Sequence, residues 1–479
     1  MRKIILMVAA LTLAVTAAAQ PALTKGMEGK RLSDKELASM RYVGVQNRMD
    51  AWIMEGRKHV KQLVLTDMNL ETVSVAPIEG SGNKEVLAAS IDDNRTGVLL
   101  VERGNRRTSI LRCELDADSR AMVESYDTVV VLDYGRKDNC LVWAATSPSG
   151  RYNALICIVE MKETSQYTAY SVLLDSRMHR IWEKEYALGS LHDVFVTDEG
   201  TVVTLGEERE LEESHFIFNV MDSVRASSFD AVVKCDPVAE LHLTNVVGSR
   251  AIAVGTFRPA SGKKTEKLTA GVLTLAFDID VAALAGISMR PFQNEDMNIF
   301  LNQKTKKMQK GQICDHLVTL GCIPTPYGAV LALGRNMEVE KSSNGGSVSR
   351  EGYAMGVHLA AVDTSGRICW VRNLRRNDVN EDGLPTLGIA CSGHKVCVVK
   401  SEHSKMPAIY DISDDAKQFK QGDKGSVALY TVDPDGNTAR LLLEAKSKLT
   451  VFRAYTRPDG TLVYLGVRGN KTRMAELRW

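Results

Sequence analysis

An excess of charge of either sign is the first thing missing from this sequence: 60 Lys and Arg stand against 59 Asp and Glu, for a net charge of +1. Nucleic-acid-binding proteins usually carry a basic excess, so the balance argues against nucleic acid as a partner. Beyond the N-terminus no apolar run is long enough to span a bilayer, so no membrane span is expected. The nine cysteines include no CxxC pair and no zinc-ligand spacing. No nucleophile elbow, HExxH motif or P-loop is present. Helical periodicity is scarce.

What is there begins with an address. Residues 1–21 read "MRKIILMVAALTLAVTAAAQP": Arg2 and Lys3, a short apolar run, then Ala17, Ala18 and Ala19. This is the pattern of a secretory signal over 1–19 with cleavage before Gln20, and it predicts an exported protein, periplasmic or extracellular. An odd cysteine count leaves at least one thiol unpaired. Cys157 and Cys397 lie inside apolar runs, where a thiol acts as a small hydrophobe. Cys140 and Cys157 are equidistant from the "SPSG" turn, and Cys391 and Cys397 flank "SGHK", so each pair is expected to face across a hairpin, with most thiols free.

The rest of the chain alternates apolar runs with tight-turn signals such as "TDEG" (197–200), "DTSG" (363–366), "DPDG" (433–436) and "RPDG" (457–460). Asp and Pro favour turn entry, and Gly supplies backbone angles that other residues avoid. Two kinds of hairpin alternate. One has two very apolar arms; the other has an apolar arm ending in Asp and then a mixed arm. The first kind recurs seven times, near 85–102, 140–160, 191–206, 241–257, 316–335, 387–400 and 449–468. A four-stranded unit A–B–C–D repeated in this way predicts an all-β fold: a seven-bladed β-propeller of antiparallel blades, closed by N- and C-terminal strands. The seventh unit lacks a fourth strand, and a strand from 61–78 is expected to complete it. The propeller is then 61–479 and residues 20–60 an arm, partly helical or irregular, with Ser33 and Glu36 as a capping box.

In the second kind of hairpin, Asp175 and Trp182 in "LLDSRMHRIW" and Asp363 and Trp370 in "AVDTSGRICW" resemble the Asp…Gly…Trp repeat of quinoprotein-like (PQQ-type) β-propellers. The resemblance covers two units; Arg177 stands where the first would carry Gly, and no quinone-site pattern accompanies it. It implies a propeller fold and an exported enzyme or assembly scaffold.

Blade topology places B–C and D–A connections on one face and A–B and C–D turns on the other. The long segments, including 258–269, 290–314, 337–352, 375–386 and 401–425, all belong to the first face. That face is expected to bind a protein, glycan or small molecule. The segment 298–310 is expected to form a short amphipathic helix over the ring. His192, His242 and His316 each begin an A strand in consecutive units, with Asp193 and Asp315 beside two of them. Converging at the channel mouth, they would make a ligand or metal site with carboxylates orienting the imidazoles; otherwise each bonds water or backbone. Asp378, Asn380 and Asp382, followed by Gly383, offer oxygens at the spacing that starts a calcium loop. Position twelve would be Ile389, which excludes an EF-hand, and Arg375 and Arg376 compete as partners for the carboxylates. The expected function is therefore a non-catalytic binding or scaffold role. The alternative is a secreted hydrolase or lyase with a metal-assisted site at the channel mouth.

Overall fold

The computed structural model describes residues 22–30 and 39–478, except 47, 57–58, 68–71, 93–94, 117–121, 124–125, 136–137, 163–165, 211–212, 234–235, 259–267, 301–313, 343–347, 381–386, 404–418, 421–422 and 470. Four-stranded antiparallel sheets follow one another along it, and there are eight, not the expected seven. Blade 1 comprises Arg41–Gln46, Met49–Glu55, Lys61–Thr66 and Thr72–Pro77. Blades 2 to 7 begin at Glu85, Asn139, Ser190, Asp236, Leu317 and Leu387. Blade 8 takes Thr450–Thr456, Leu462–Arg468 and Lys471–Arg478 from the end of the chain and Ala22–Lys30 from its start.

The missed blade has a physical cause. Its first hairpin, "RYVGVQNRMDAWIME", turns between Gln46 and Met49 without Gly or Pro. Arg48 takes the left-handed conformation itself, at φ 65°. Two-residue hairpin turns normally announce themselves by Gly after Asn or Asp, and here Arg48 follows Asn47 instead. The expected arm over 20–60 therefore supplies ring strands at 22–30 and 41–55, and the strands within 61–78 complete blade 1 rather than closing the ring. The capping box at 33–36 lies outside the described residues. Closure does join the two ends of the chain: Ala22 pairs with Arg478 and Lys30 with Lys471, across a bulge between Lys25 and Glu28.

The core gives an independent count. Buried side chains fall into eight clusters, each spanning one seam between neighbouring blades. First strands of successive blades contact one another around the axis. Second and third strands lie between two seams, which is why they read as unbroken apolar runs: Ala154 to Ile158 are all buried. Fourth strands form the outer rim and alternate, as in Ala283–Pro291, where exposed and half-buried residues take turns.

In blades 3 to 7 an Asp at the end of the third strand starts a turn. One carboxylate oxygen of Asp222 accepts the N–H groups of Val224 and Arg225 at 2.8 and 2.6 Å. Asp175, Asp278, Asp363 and Asp433 do the same in their blades. These turns also tie blades together. The Trp370 indole N–H donates to the Pro434 carbonyl at 2.9 Å, with the Arg372 guanidinium on the carbonyl of Gly436. Gly436 sits at φ 81°, and a Cβ there would meet the Trp370 ring at 2.8 Å, so the close approach requires glycine. Lys184 reaches the Arg225 carbonyl in the same way, at 2.6 Å.

The expected cysteine pairs do not face each other. The "SPSG" hairpin closes between Ser147 and Tyr152, one residue later than its sequence centre, so Cys157 lies opposite Val142 and Cys140 opposite Val159. Cys397 lies opposite Ala390 and Cys391 opposite Val396, which puts the two thiols on opposite faces of the sheet. The seven described cysteines are all free, and burial pushes Cys113, Cys322 and Cys397 up to about 12.

The seam between blades 8 and 1 holds a buried ion triad. Arg457 Nε lies 2.8 and 3.0 Å from the two oxygens of Asp50, and its Nη1 donates to Glu476. Tyr455 adds a hydroxyl to Asp50 at 3.1 Å. The three charged side chains are at most 3% exposed. Burial by itself would lower the Arg457 pKa; the carboxylates more than reverse this and raise it. Arg457→Met would leave the buried Asp50 without a cation, and Glu476 with only the half-exposed Arg478, 3.2 Å away. It should destabilise the protein by about 3–5 kcal/mol in denaturant titrations, with part recovered by adding Asp50→Asn and Glu476→Gln. A loss below about 1 kcal/mol, the scale of an exposed pair, would show that the triad does not secure the seam.

The turn aspartates set a pH dependence. The pKa of Asp222 is lowered, first by the Arg225 N–H. For Asp278, Asp363 and Asp433 burial pushes upward, but the hydrogen bonds they accept prevail and their pKa values are lowered too. Depressed carboxylates contribute stability that is fully present above the unfolded pKa and is lost as pH falls through the folded one. Asn at these four positions keeps the turn acceptor without the titration. The fourfold variant should therefore lose Tm less steeply than the parent below about pH 4; identical acid slopes would remove these aspartates from the account.

Candidate functional site

Blade 6 changes the expected loop face most. Its second and third strands, Gly328–Ser342 and Val348–Asp363, run on beyond the blade as a paired ribbon from Arg335 opposite Met355 to Ser342 opposite Val348. The segment expected as a loop at 337–352 is mostly this ribbon. The fourth strand, Ile368–Asn380, continues with it, and Phe419–Lys420 pairs alongside in parallel. Next to the ribbon, the D–A connection folds a short helix, Asn294–Asn298, over the seam between blades 5 and 6. Phe292, Met297, Ile299 and Phe300 bury into that seam. Asp296 accepts from the Gln293 backbone at 2.8 Å, Arg290 at 2.9 Å and Asn373 at 3.0 Å, and Asn373 meets the wholly buried His358 at 2.8 Å. Burial first of all holds the His358 pKa down. The amphipathic segment expected at 298–310 lies almost entirely outside the described residues.

The ribbon decides where the calcium-like stretch sits. Asp378 lies in the extended fourth strand opposite Ala354, and it is 3% exposed. Residues 377–380 are therefore strand rather than exposed loop. Arg376 Nε donates to Asp378 Oδ2 at 2.7 Å, and both side chains are buried. Asp382 and the Asn380 side chain lie outside the described residues. The expected arginine pairing is thus present at Asp378, which leaves that carboxylate with a cation already in contact.

The histidines stand where the strands were expected to start, and their rings take separate partners. His192, in Ser190–Val196, has Nε2 2.9 Å from the buried Glu207 on the next strand of its own blade. Asp193 binds blade 4 to blade 5: one oxygen accepts the Leu243 N–H at 2.8 Å, the other the N–H of Val194 at 2.8 Å. His242 Nδ1 lies 3.9 Å from the first of these oxygens. Burial, the largest influence, raises the pKa of Asp193 against those hydrogen bonds. His316 is exposed at φ 56°, and its carbonyl accepts the Asn336 N–H. The Asp315 side chain lies outside the described residues. Among the described residues no group of three or more His, Cys, Asp or Glu is disposed to hold a metal ion, and no helix is long and apolar enough to cross a membrane.

A cleft of about 550 Å³ opens on the loop face where blades 8, 1 and 2 meet, lined by Ser39 to Arg41, the ends of blade 1 strands, residues 82–86 and Arg453. Arg41 Nη1 donates to the carbonyls of Val86 and Leu87 at 2.9 and 2.8 Å. Arg453 Nη1 donates to the carbonyl of Met40. Lys61 is paired with Glu55 and Lys84 with Glu102, both at 3.2 Å. Sequence reasoning missed this cleft because it missed blade 1. Its one local signal was an arginine in each of two A strands, Arg41 and Arg453, and the first of those strands was not recognised.

Against known proteins, no family model matches the chain, and neither does any curated sequence. Solved structures do align. The Nup133 β-propeller domain of Vanderwaltozyma polyspora matches over 96% of this chain and 99% of its own, with 9% identity and a TM-score of 0.40. The WD40 domain of Toxoplasma gondii coronin matches over 96% and 86%, with 10% identity and a TM-score of 0.37. The polysaccharide lyase Uly1 matches over 95% and 99%, with 10% identity and a TM-score of 0.35. The chain is a β-propeller by its own sheets, and these likenesses assign it no activity.

With Asp378 held by Arg376, the melting temperature is expected to be the same in millimolar calcium and in chelator. A site occupied at a hundredfold its Kd would add about 2.7 kcal/mol, which a melting curve resolves. A calcium-dependent rise that disappears in Asp378→Ala would overturn the arginine assignment.

Proposed function

We propose that this chain is an exported, non-catalytic binding or scaffold module related to the quinoprotein-like propellers, and that it engages its ligand through the loop-bearing face. The observation that carries the reading is the unequal use of the two faces. On the tight-turn face, side chains are committed to neighbouring blades. Ser149 hydroxyl and N–H meet Asp198 at 2.6 and 2.8 Å, Ser176 meets Asp92 at 3.0 Å, and Trp370 and Lys184 reach the next blade's turns. On the other face the blade 6 ribbon rises above the ring, and a cleft opens at the junction of blades 8, 1 and 2. A rigid scaffold with its variable segments at one end is a common arrangement for recognition. Export is supported by the leader pattern of residues 1–19, and the quinoprotein-like relationship by Trp370 seated on the turn of the following blade.

The ligand is a protein, glycan or small molecule. Purified protein lacking residues 1–19 should give saturable hits on a glycan and peptide array. Shortening "SSNGGS" at 342–347 or replacing "KKTEK" at 263–267 by Gly and Ser should weaken the hits at least tenfold (~1.4 kcal/mol), whereas bulky substitutions of Ser149 and Asp435 on the opposite face should not. Loss confined to the tight-turn variants would reverse the assignment of faces. Turnover of an array ligand would replace the binding role with a catalytic one.

A further inference from the structure

The cleft where blades 8, 1 and 2 meet has an electrostatic asymmetry that the fold does not require. Four cationic side chains line it: Arg41, Arg453, Lys61 and Lys84. The two lysines are matched by carboxylates at 3.2 Å. The two arginines are not. Among the described residues, every hydrogen bond made by either guanidinium goes to a main-chain carbonyl: Arg41 to Val86 and Leu87, Arg453 to Met40. Two like charges therefore share one partly enclosed space, and burial first, then Arg41, holds the Arg453 pKa down.

A guanidinium carries five N–H donors in a rigid plane. Carbonyl bonds at one nitrogen hold each group in place and leave other donors to the cleft that both groups line. Anchored, unneutralised forks are suited to the two oxygens of a planar or tetrahedral oxyanion. Three blades build the arrangement: Arg453 comes from the first strand of blade 8, Arg41 from that of blade 1, and its acceptor carbonyls from that of blade 2. About 550 Å³ accommodates a small molecule and not a folded domain. Glu55 and Glu85 on the rim oppose a densely charged polyanion.

We propose that this cleft is a binding site for a small organic anion, such as an acidic sugar, whose carboxylate, sulfate or phosphate group sits between Arg41 and Arg453. The proposal rests on the loop face being the binding face and names the chemistry at one point of it.

Isothermal titration with glucuronate, glucose 6-sulfate and glucose 6-phosphate, with neutral glucose as control, tests it. At least one of the three anions should bind saturably, and the best of them identifies the oxyanion; glucose should not bind. Arg41→Gln and Arg453→Gln should each weaken binding about tenfold or more. Arg41→Lys should bind in between, because an ammonium supplies charge without the fork. Arg41 is exposed, so its variants should melt like the parent without ligand, and the test survives if Arg453→Gln folds poorly. No saturable binding of any anion by the parent at 10 mM, about 2.7 kcal/mol weaker than a 0.1 mM Kd, would overturn the proposal. Equal binding by parent and Arg41→Gln would also overturn it, as would a response to chloride at matched ionic strength. If the anions fail while the array hits still depend on the loop-face segments, the anion site alone falls and the binding role stands.

Discussion

The ring depends on its closure. A propeller is a row of sheets until its last blade packs on its first, and in this chain that contact joins residues 407 positions apart in sequence, Asp50 and Arg457. Two devices secure it. Ala22–Lys30 adds the outer strand to blade 8, which covers an edge that would otherwise present unpaired backbone groups. The Arg457 guanidinium, between Asp50 and Glu476, then joins blade 8 to blade 1 inside the seam. A buried charge is tolerated only with its partners in place. A misaligned seam would strand one of the three, so the triad favours a single register of closure. Around it, Trp52, Tyr42 and Tyr455 pack ring against ring, with centroids 4.2 to 5.1 Å apart.

The same seam brings structure and candidate site together. Arg453, Tyr455 and Arg457 alternate along one stretch of chain at the first strand of blade 8. Tyr455 and Arg457 meet Asp50 towards the tight-turn face, while Arg453 reaches Met40 at the mouth of the cleft. Closure thus positions one of the two guanidiniums in the cleft. Elsewhere polar side chains bind blade to blade on both faces, Ser149 to Asp198 among the short turns and Arg41 to the Val86 and Leu87 carbonyls opposite. The helix at Asn294–Asn298 does so with apolar residues, which fill the seam between blades 5 and 6 and complete the core rather than display a surface.

Much of the ring was legible in the sequence because its signals are local. An Asp at the end of a third strand, a Gly three residues later and a Trp in the strand that follows each act within a few residues, and the structure uses them as read at Asp363, Gly366 and Trp370. Blade 1 was not legible because Arg48 adopts a backbone conformation that its side chain does not announce. The cysteine pairs failed for a related reason: a hairpin that closes one residue later moves every partner. The histidines show the limit at the candidate site. Their places in or beside first strands could be read, although His242 lies within Asp236–Val247 rather than at its start, and a bulge between Leu191 and Asp193 and the reach of Glu207 decide where His192 points.

By itself the sequence determined an all-β chain, built from repeated four-stranded antiparallel units with apolar inner strands and alternating rim strands. Turn chemistry and hydrophobic period are set by near neighbours, so the linear order carries them. Only the tertiary structure decided that there are eight units, that residues 22–30 close the last of them, and that Asp378, with Arg376 beside it, lies in a buried strand. Only it could bring Arg41 and Arg453 into one cleft. Those outcomes depend on burial and on contacts between distant segments, where a charge must find its partner in space.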